Sequence, residues 1–190
     1  MSIQSRRERE RAQREKLIIT AARELAEAEG WEAVTTRRLA ERVEYSQPVL
    51  YSHFKGKEAI MAAVAVEGCA DLAVDLRAAR TAAPDARRAI AGVSAAYMAF
   101  ADRHPALYDV MFNQIVPLPF ATPEAPPALQ AAFGELAEAV RPYSGGDSLG
   151  ALTETFWAGL HGLVTLMRGG RLPREHHELR LGLFLARFTD

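Results

Sequence analysis

Apolar residues in this chain recur every three to four positions between glycine and proline breaks, and no stretch sustains the period-2 alternation of a half-buried strand. Such a chain must bury helical stripes against one another, and its abundant alanine favours the same outcome. An all-α fold of about nine helices is expected. The first runs from about Arg6 to Glu29, with Leu17, Ile18, Ala21, Ala22, Leu25 and Ala28 as its apolar stripe and Gly30 as its stop. A short second helix holds Leu39, Ala40 and Val43 behind a cap at Thr35 or Thr36. After a break at Glu44-Tyr45-Ser46, a third covers Gln47 to Phe54. Ser46 is placed to cap it, and Pro48 falls in its first turn, where a missing N–H costs nothing. Further helices are expected at about 57–80, 84–103 and 105–112, then up to Arg141, at 147–168, and after Pro173 to about Phe188. Five prolines make 113–127 a loop.

A length of 190 residues suits one large domain or two small ones. The expected division is a head at 1–58 and a body at 59–190. Net charge is -1, but it is unevenly spread. Residues 1–58 carry 12 Lys/Arg against 10 Asp/Glu, and residues 59–190 carry 11 against 14. The basic excess is sharpest at 1–16, with six basic and three acidic residues, which points weakly to a DNA-facing end. A single cysteine, Cys69, forms no internal disulfide and fits a reducing compartment. The arginine-rich start has no apolar signal core, and no apolar run approaches the ~18 residues of a membrane span. A cytoplasmic protein without membrane contact is expected.

The second and third helices, joined by a tight turn, have the build of a helix-turn-helix. On the third, Leu50 and Phe54 fall on one side, ready to lock onto Leu39 and Val43. Gln47, Pro48, Val49, Tyr51, Ser52 and His53 cover the remaining arc, with groups suited to base edges and phosphates. By pattern alone, a small hairpin packed into a larger helical bundle fits as well.

The stretches Thr35-Thr36-Arg37-Arg38-Leu39-Ala40 and Ser46-Gln47-Pro48-Val49-Leu50-Tyr51-Ser52-His53-Phe54-Lys55-Gly56-Lys57-Glu58 strongly resemble the DNA-binding motif of the TetR family of transcriptional regulators. The resemblance spans about residues 10–62. It implies that Gln47, Pro48 and Val49 meet base edges, Val49 through a thymine methyl. It places Thr36, Tyr51, His53 and Lys57 at phosphates, Lys57 from a helix N-terminus. Arg37 is placed to reach a guanine, or else to meet a phosphate or stand as a solvated charge, and His53 also suits helix packing. The family usually has glycine where this chain has Glu44, so the turn there must accept strain or shift.

The body shows no arrangement that catalysis needs: no P-loop, no nucleophile elbow, no dinucleotide glycines and no His-x-x-x-His pair. His176-His177 reads as a solvated helix start. No enzyme, cofactor or metal is expected. The eighth helix sets Leu149, Leu152, Phe156, Leu160, Leu163 and Met167 on one broad face, and the ninth offers Leu179, Leu183, Phe184 and Phe188. Such faces form half of an intermolecular bundle or complete the internal core. The stretch Phe156-Trp157-Ala158-Gly159-Leu160-His161-Gly162 resembles the WHG-type C-terminal domain of some TetR-family members. The family resemblance implies that the last two helices make a homodimer and that a small-molecule effector binds in the body. Tyr97, Phe100, His104, Tyr108, Met111, Phe112, Trp157 and His161 are the candidate lining residues, and they suit an ordinary core too. The expected protein is a repressor that binds a palindromic double-stranded DNA operator as a homodimer and is released by its effector. The other open reading is control by a protein partner, with no small-molecule pocket.

Overall fold

The structure is a computed structural model that describes residues 3–120 and 122–189. Among the described residues there are nine α-helices, three single 3-10 turns and no strand. The loop expected at 113–127 is non-helical up to Phe120 and from Thr122 to Pro126, and Ala121 lies outside the described residues. No helix among the described residues is long and apolar enough to cross a membrane.

The chain forms two compact units. One takes in the residues up to Gly68 together with His104–Pro126. The other takes in Cys69–Arg103 and the residues from Pro127 onward. The first holds α1 (Ile3–Glu29), α2 (Thr36–Arg42), α3 (Gln47–His53), the start of α4 (Lys57–Ala82), and α6 (Pro105–Phe112). Its core gathers Ile18, Ala22, Leu25, Val34, Leu39, Leu50, Ile60 and Val64, all at most 2% exposed. The stripe of α1 is narrower than its spacing suggests. Leu17 is 53% exposed and Ala28 is also at the surface, while Ala26 is buried. Thr35 rather than Thr36 caps α2, its side chain accepting from the Arg38 amide at 3.2 Å. Ser46 holds the cap position of α3 but makes no side-chain cap bond. The helix ends at His53, because Phe54 turns extended.

The second unit holds the rest of α4, α5 (Ala86–Arg103), α7 (Pro127–Val140), α8 (Leu149–Arg168) and α9 (His177–Thr189). Ser148 caps α8 and Asp85 caps α5, each accepting an amide that the helix itself leaves unpaired. Leu76, Ile90, Val93, Tyr97, Val140, Phe156 and Leu160 are fully buried. Burying each such side chain contributes roughly 1.5–3 kcal/mol. Glu135 on α7 is 4% exposed and is held by Arg77 at 2.7 Å and Arg80 at 2.8 Å. A buried carboxylate without such partners is strongly unfavourable.

Candidate nucleic-acid interface

The helix-turn-helix is set by two features of its own sequence. Leu39 on α2 and Leu50 on α3 are 1% and 0% exposed, so each short helix turns one leucine inward. Between them the chain reverses through Glu44, whose φ is +57°. That left-handed residue lets the Tyr45 amide donate back to Ala40 at 2.9 Å and the Glu44 amide to Glu41 at 3.3 Å. The turn therefore keeps the conformation that a glycine supplies freely, and glutamate accepts it at a cost of about 1 kcal/mol. Its side chain lies in solvent.

Locking Leu50 inward turns the rest of α3 outward. Gln47, Pro48, Val49, Tyr51 and Ser52 are exposed, Val49 by 38% and Tyr51 by 51%. The Tyr51 hydroxyl lies 3.5 Å from the Thr36 hydroxyl, joining the exposed side of α3 to the start of α2. Arg37 is also exposed and pairs along its helix with Glu41 at 3.0 Å. Thr36 and Tyr51 are thus brought together, and Gln47, Pro48, Val49 and Arg37 are exposed on the same two helices.

His53 and Lys57 have partners within the protein. His53 Nδ1 lies 3.4 Å from a Glu15 carboxylate oxygen, and only 6% of its side chain is exposed. Lys57 Nζ donates to the Trp31 carbonyl at 2.6 Å. Two residues that the sequence reading passed over complete this support. The Trp31 indole donates to the Ala106 carbonyl at 2.7 Å. Glu27 accepts the Ala106 and Leu107 amides at 3.0 and 2.9 Å, capping α6 from outside its own segment. A tryptophan straight after the Gly30 stop was the one visible signal.

The eight candidate pocket residues divide between the two units. Tyr108 and Met111 are buried in the first, and Tyr108 meets Phe112 edge-on at 4.9 Å. His104 lines a solvent-open groove of about 610 Å³ together with Thr20, Arg23, Glu24, Glu27, Ala28 and Glu67. Its neighbours there are mostly charged. In the second unit the Trp157 indole donates to the Tyr97 hydroxyl at 2.9 Å. The rings of Trp157 and His161 lie 6.3 Å apart. His161 is half-buried, and burial lowers its pKa below the ordinary 6.5. Phe100 is 1% exposed.

Of the residues expected at a seam between two copies, Phe156 and Leu160 are 0% exposed within their own chain. Phe156 stacks on Phe184 and meets Phe188 edge-on, so these rings join α8 to α9. Phe156 and Leu160 are therefore core residues of the protomer. Leu163, Met167 and Phe184 are half-buried, and Leu183 is 57% exposed. Leu166, which the sequence reading passed over, and Leu179 are exposed as well, by 45% and 64%.

A short exposed helix behind a tight turn, on an otherwise helical chain, defines a helix-turn-helix regulator. The model of bacterial regulatory proteins of the tetR family matches residues 18–64, and that of the tetracyclin repressor-like C-terminal domain matches residues 90–181. An uncharacterized HTH-type transcriptional regulator of Mycobacterium tuberculosis is 30% identical over 156 residues, covering 80% of this chain and 69% of that protein. The chain belongs to the TetR family of transcriptional regulators. It is 55% identical over 53 residues to the class C tetracycline repressor protein of Escherichia coli, a match that covers 28% of this chain and only 24% of the repressor. Its fold is similar to that of a Rhodococcus protein of unknown function, with a TM-score of 0.75 over 93% of this chain and 95% of that one, at 22% identity.

Proposed function

We propose that the chain is a repressor that binds a two-fold operator as a homodimer and leaves it when a small effector binds the second unit. The observation that carries the DNA reading is the outward face of α3, exposed from Gln47 to Ser52 around the single buried Leu50. In this reading α3 enters the major groove. Gln47 reads an adenine edge, while Pro48 and Val49 pack on thymine methyls. Thr36 and Tyr51 hold phosphates, and Arg37 leaves Glu41 for a guanine or a phosphate. His53 and Lys57 act by holding the head together through Glu15 and Trp31, rather than as free phosphate ligands.

The second copy joins through the parts of α8 and α9 that the chain leaves uncovered: Ala158, Gly162 and Leu166 on one, Leu179, Gly182 and Leu183 on the other. A Cβ at Gly162 or Gly182 would meet nothing within 4 Å, so both lie open to a close-packing helix. The effector meets Tyr97, Trp157 and His161, an aromatic wall with polar tips. Release follows if it favours a conformation in which the paired recognition helices no longer match the groove spacing.

Selection of bound duplexes from a random pool tests the reading. The expected product is a palindrome, and Gln47→Ala should cost roughly 1–3 kcal/mol and relax one base position per half-site. Enrichment of no sequence would overturn the operator reading. An operator complex indifferent to a broad panel of small aromatic compounds would move control to a protein partner.

A further inference from the structure

We propose that the first turns of α1 form a second DNA-contacting element, a basic helical arm that grips phosphates beside the recognition helix. It rests on the reading of the head as an operator reader. From Gln4 onward the first fully buried residue of α1 is Ile18, so residues 4–17 overhang the core of the head and are mostly exposed. Ile18 looks inward, and Arg14, Arg11 and Arg7 precede it by four, seven and eleven residues. At about 100° per residue these arginines continue the inward face of α1 beyond the point where the head has anything to bury.

The direction of that face is fixed by contacts. The Arg11 guanidinium reaches the Ser52 carbonyl at 3.5 Å, and Glu15 meets His53 at 3.4 Å. The overhang thus lies against the last turn of α3, next to the surface that carries Gln47, Val49 and Tyr51. The carboxylates of the overhang are partly committed. Glu10 pairs with Arg6 and Glu15 with Arg11, both at 2.8 Å, and Lys16 is held by Glu67. Arg7 and Arg14 are exposed and have no ion pair among the described residues. They stand about 10 Å apart along the helix, close enough for both flexible side chains to reach phosphates of one strand.

A second observation points the same way. The first turn of α1 contains no acidic residue. The N-terminal end of a helix is the positive end of its dipole, where a stable helix prefers carboxylates. Since α3 brings the duplex to this side of the head, the available polyanion is its backbone.

Phosphate contacts carry no sequence information, so the arm is testable without the operator. The full-length protein is titrated onto a fluorescein-labelled 30-base-pair duplex of mixed sequence, and anisotropy is read at several salt concentrations. Arg7→Gln/Arg14→Gln should lower the slope of log K against log salt by about 2, and weaken binding by about ten-fold or more near 0.1 M salt. Arg7→Lys/Arg14→Lys should keep the wild-type slope, because a phosphate asks only for charge. Arg88→Gln, in the second unit, should also leave it unchanged. Helical circular dichroism equal to wild type shows that α1 persists in the glutamine variant. A glutamine variant with the wild-type slope would overturn the arm alone. A wild type that binds no duplex at low salt would overturn both the arm and the operator reading.

Discussion

The indole of Trp31 donates a 2.7 Å hydrogen bond to the carbonyl oxygen of Ala106, 75 residues further along the chain. The same turn offers its Trp31 carbonyl to Lys57, while Glu27 takes the Ala106 and Leu107 amides. Three segments of the first unit are thereby pinned around one 3-10 turn: the end of α1, the start of α4 and the start of α6. The helix-turn-helix is built directly onto that turn, through Val34 and Thr35.

Removing these bonds should loosen the unit by amounts that follow their chemistry. Trp31→Phe keeps an aromatic ring but loses the donor and part of the buried indole, a cost of roughly 1–3 kcal/mol. Glu27→Ala leaves two amides of α6 without their acceptor, a cost of roughly 1–3 kcal/mol, with Glu27→Gln falling between. Urea denaturation gives the ordering. A wild-type midpoint for Glu27→Ala would mean that water replaces the carboxylate without loss.

Glu44 offers a gain of stability. Its φ of +57° costs a side chain energy that glycine does not pay. Glu44→Gly should raise stability by about 0.5–1 kcal/mol, after allowance for the looser unfolded chain. Glu44→Ala should gain nothing, because its Cβ keeps the strain. Equal gains from both variants would trace the effect to charge rather than to the turn.

Leu183 and Leu160 separate assembly from folding. Leu183 is 57% exposed and Leu160 is 0% exposed. Leu183→Glu should yield a folded chain that sediments as a monomer, with operator affinity reduced because two half-sites are no longer bound together. Leu160→Asp buries an unpaired charge and should unfold the second unit. A Leu183→Glu protein that still sediments as a stable dimer would place the seam elsewhere.

The pH dependence of the second unit should include a term from His161. Burial lowers its folded pKa below 6.5, so the unfolded chain binds the proton more readily. The neutral imidazole's contribution is present above about pH 6.5 and is lost as the pH falls from there toward the lowered folded value. The stability difference between wild type and His161→Gln should therefore shrink, or reverse, between pH 7.5 and 5. A difference independent of pH would show that His161 titrates alike in both states.

How far the fold was legible varies from element to element, for identifiable reasons. Helices such as α6, Pro105–Phe112, were readable to the residue because proline fixes the start and the apolar spacing sets the length. The α2–α3 unit was readable because its leucines and its Thr35 cap act within a few residues. Periodicity overstated α1, where Leu17 and Ala28 sit at the right spacing but nothing packs over them. On α8 the broad apolar stripe hid a division. Phe156 and Leu160 face inward, and only the flank with Gly162 and Leu166 stays open.

The sequence by itself determined the all-helical class, the helix-turn-helix and the residue types on its outward face. Each of these depends on spacing and capping within a helical turn or two, and such short-range geometry is written in consecutive residues. Only the tertiary structure decided that Lys57 is spent on Trp31 and His53 on Glu15. It alone showed Glu27 capping a helix 80 residues away, and the overhang of α1 running beside Ser52. Those pairings join segments whose separation carries no periodic signal. A carboxylate or an ammonium can choose among many distant partners, and packing alone selects which one lies within about 3 Å.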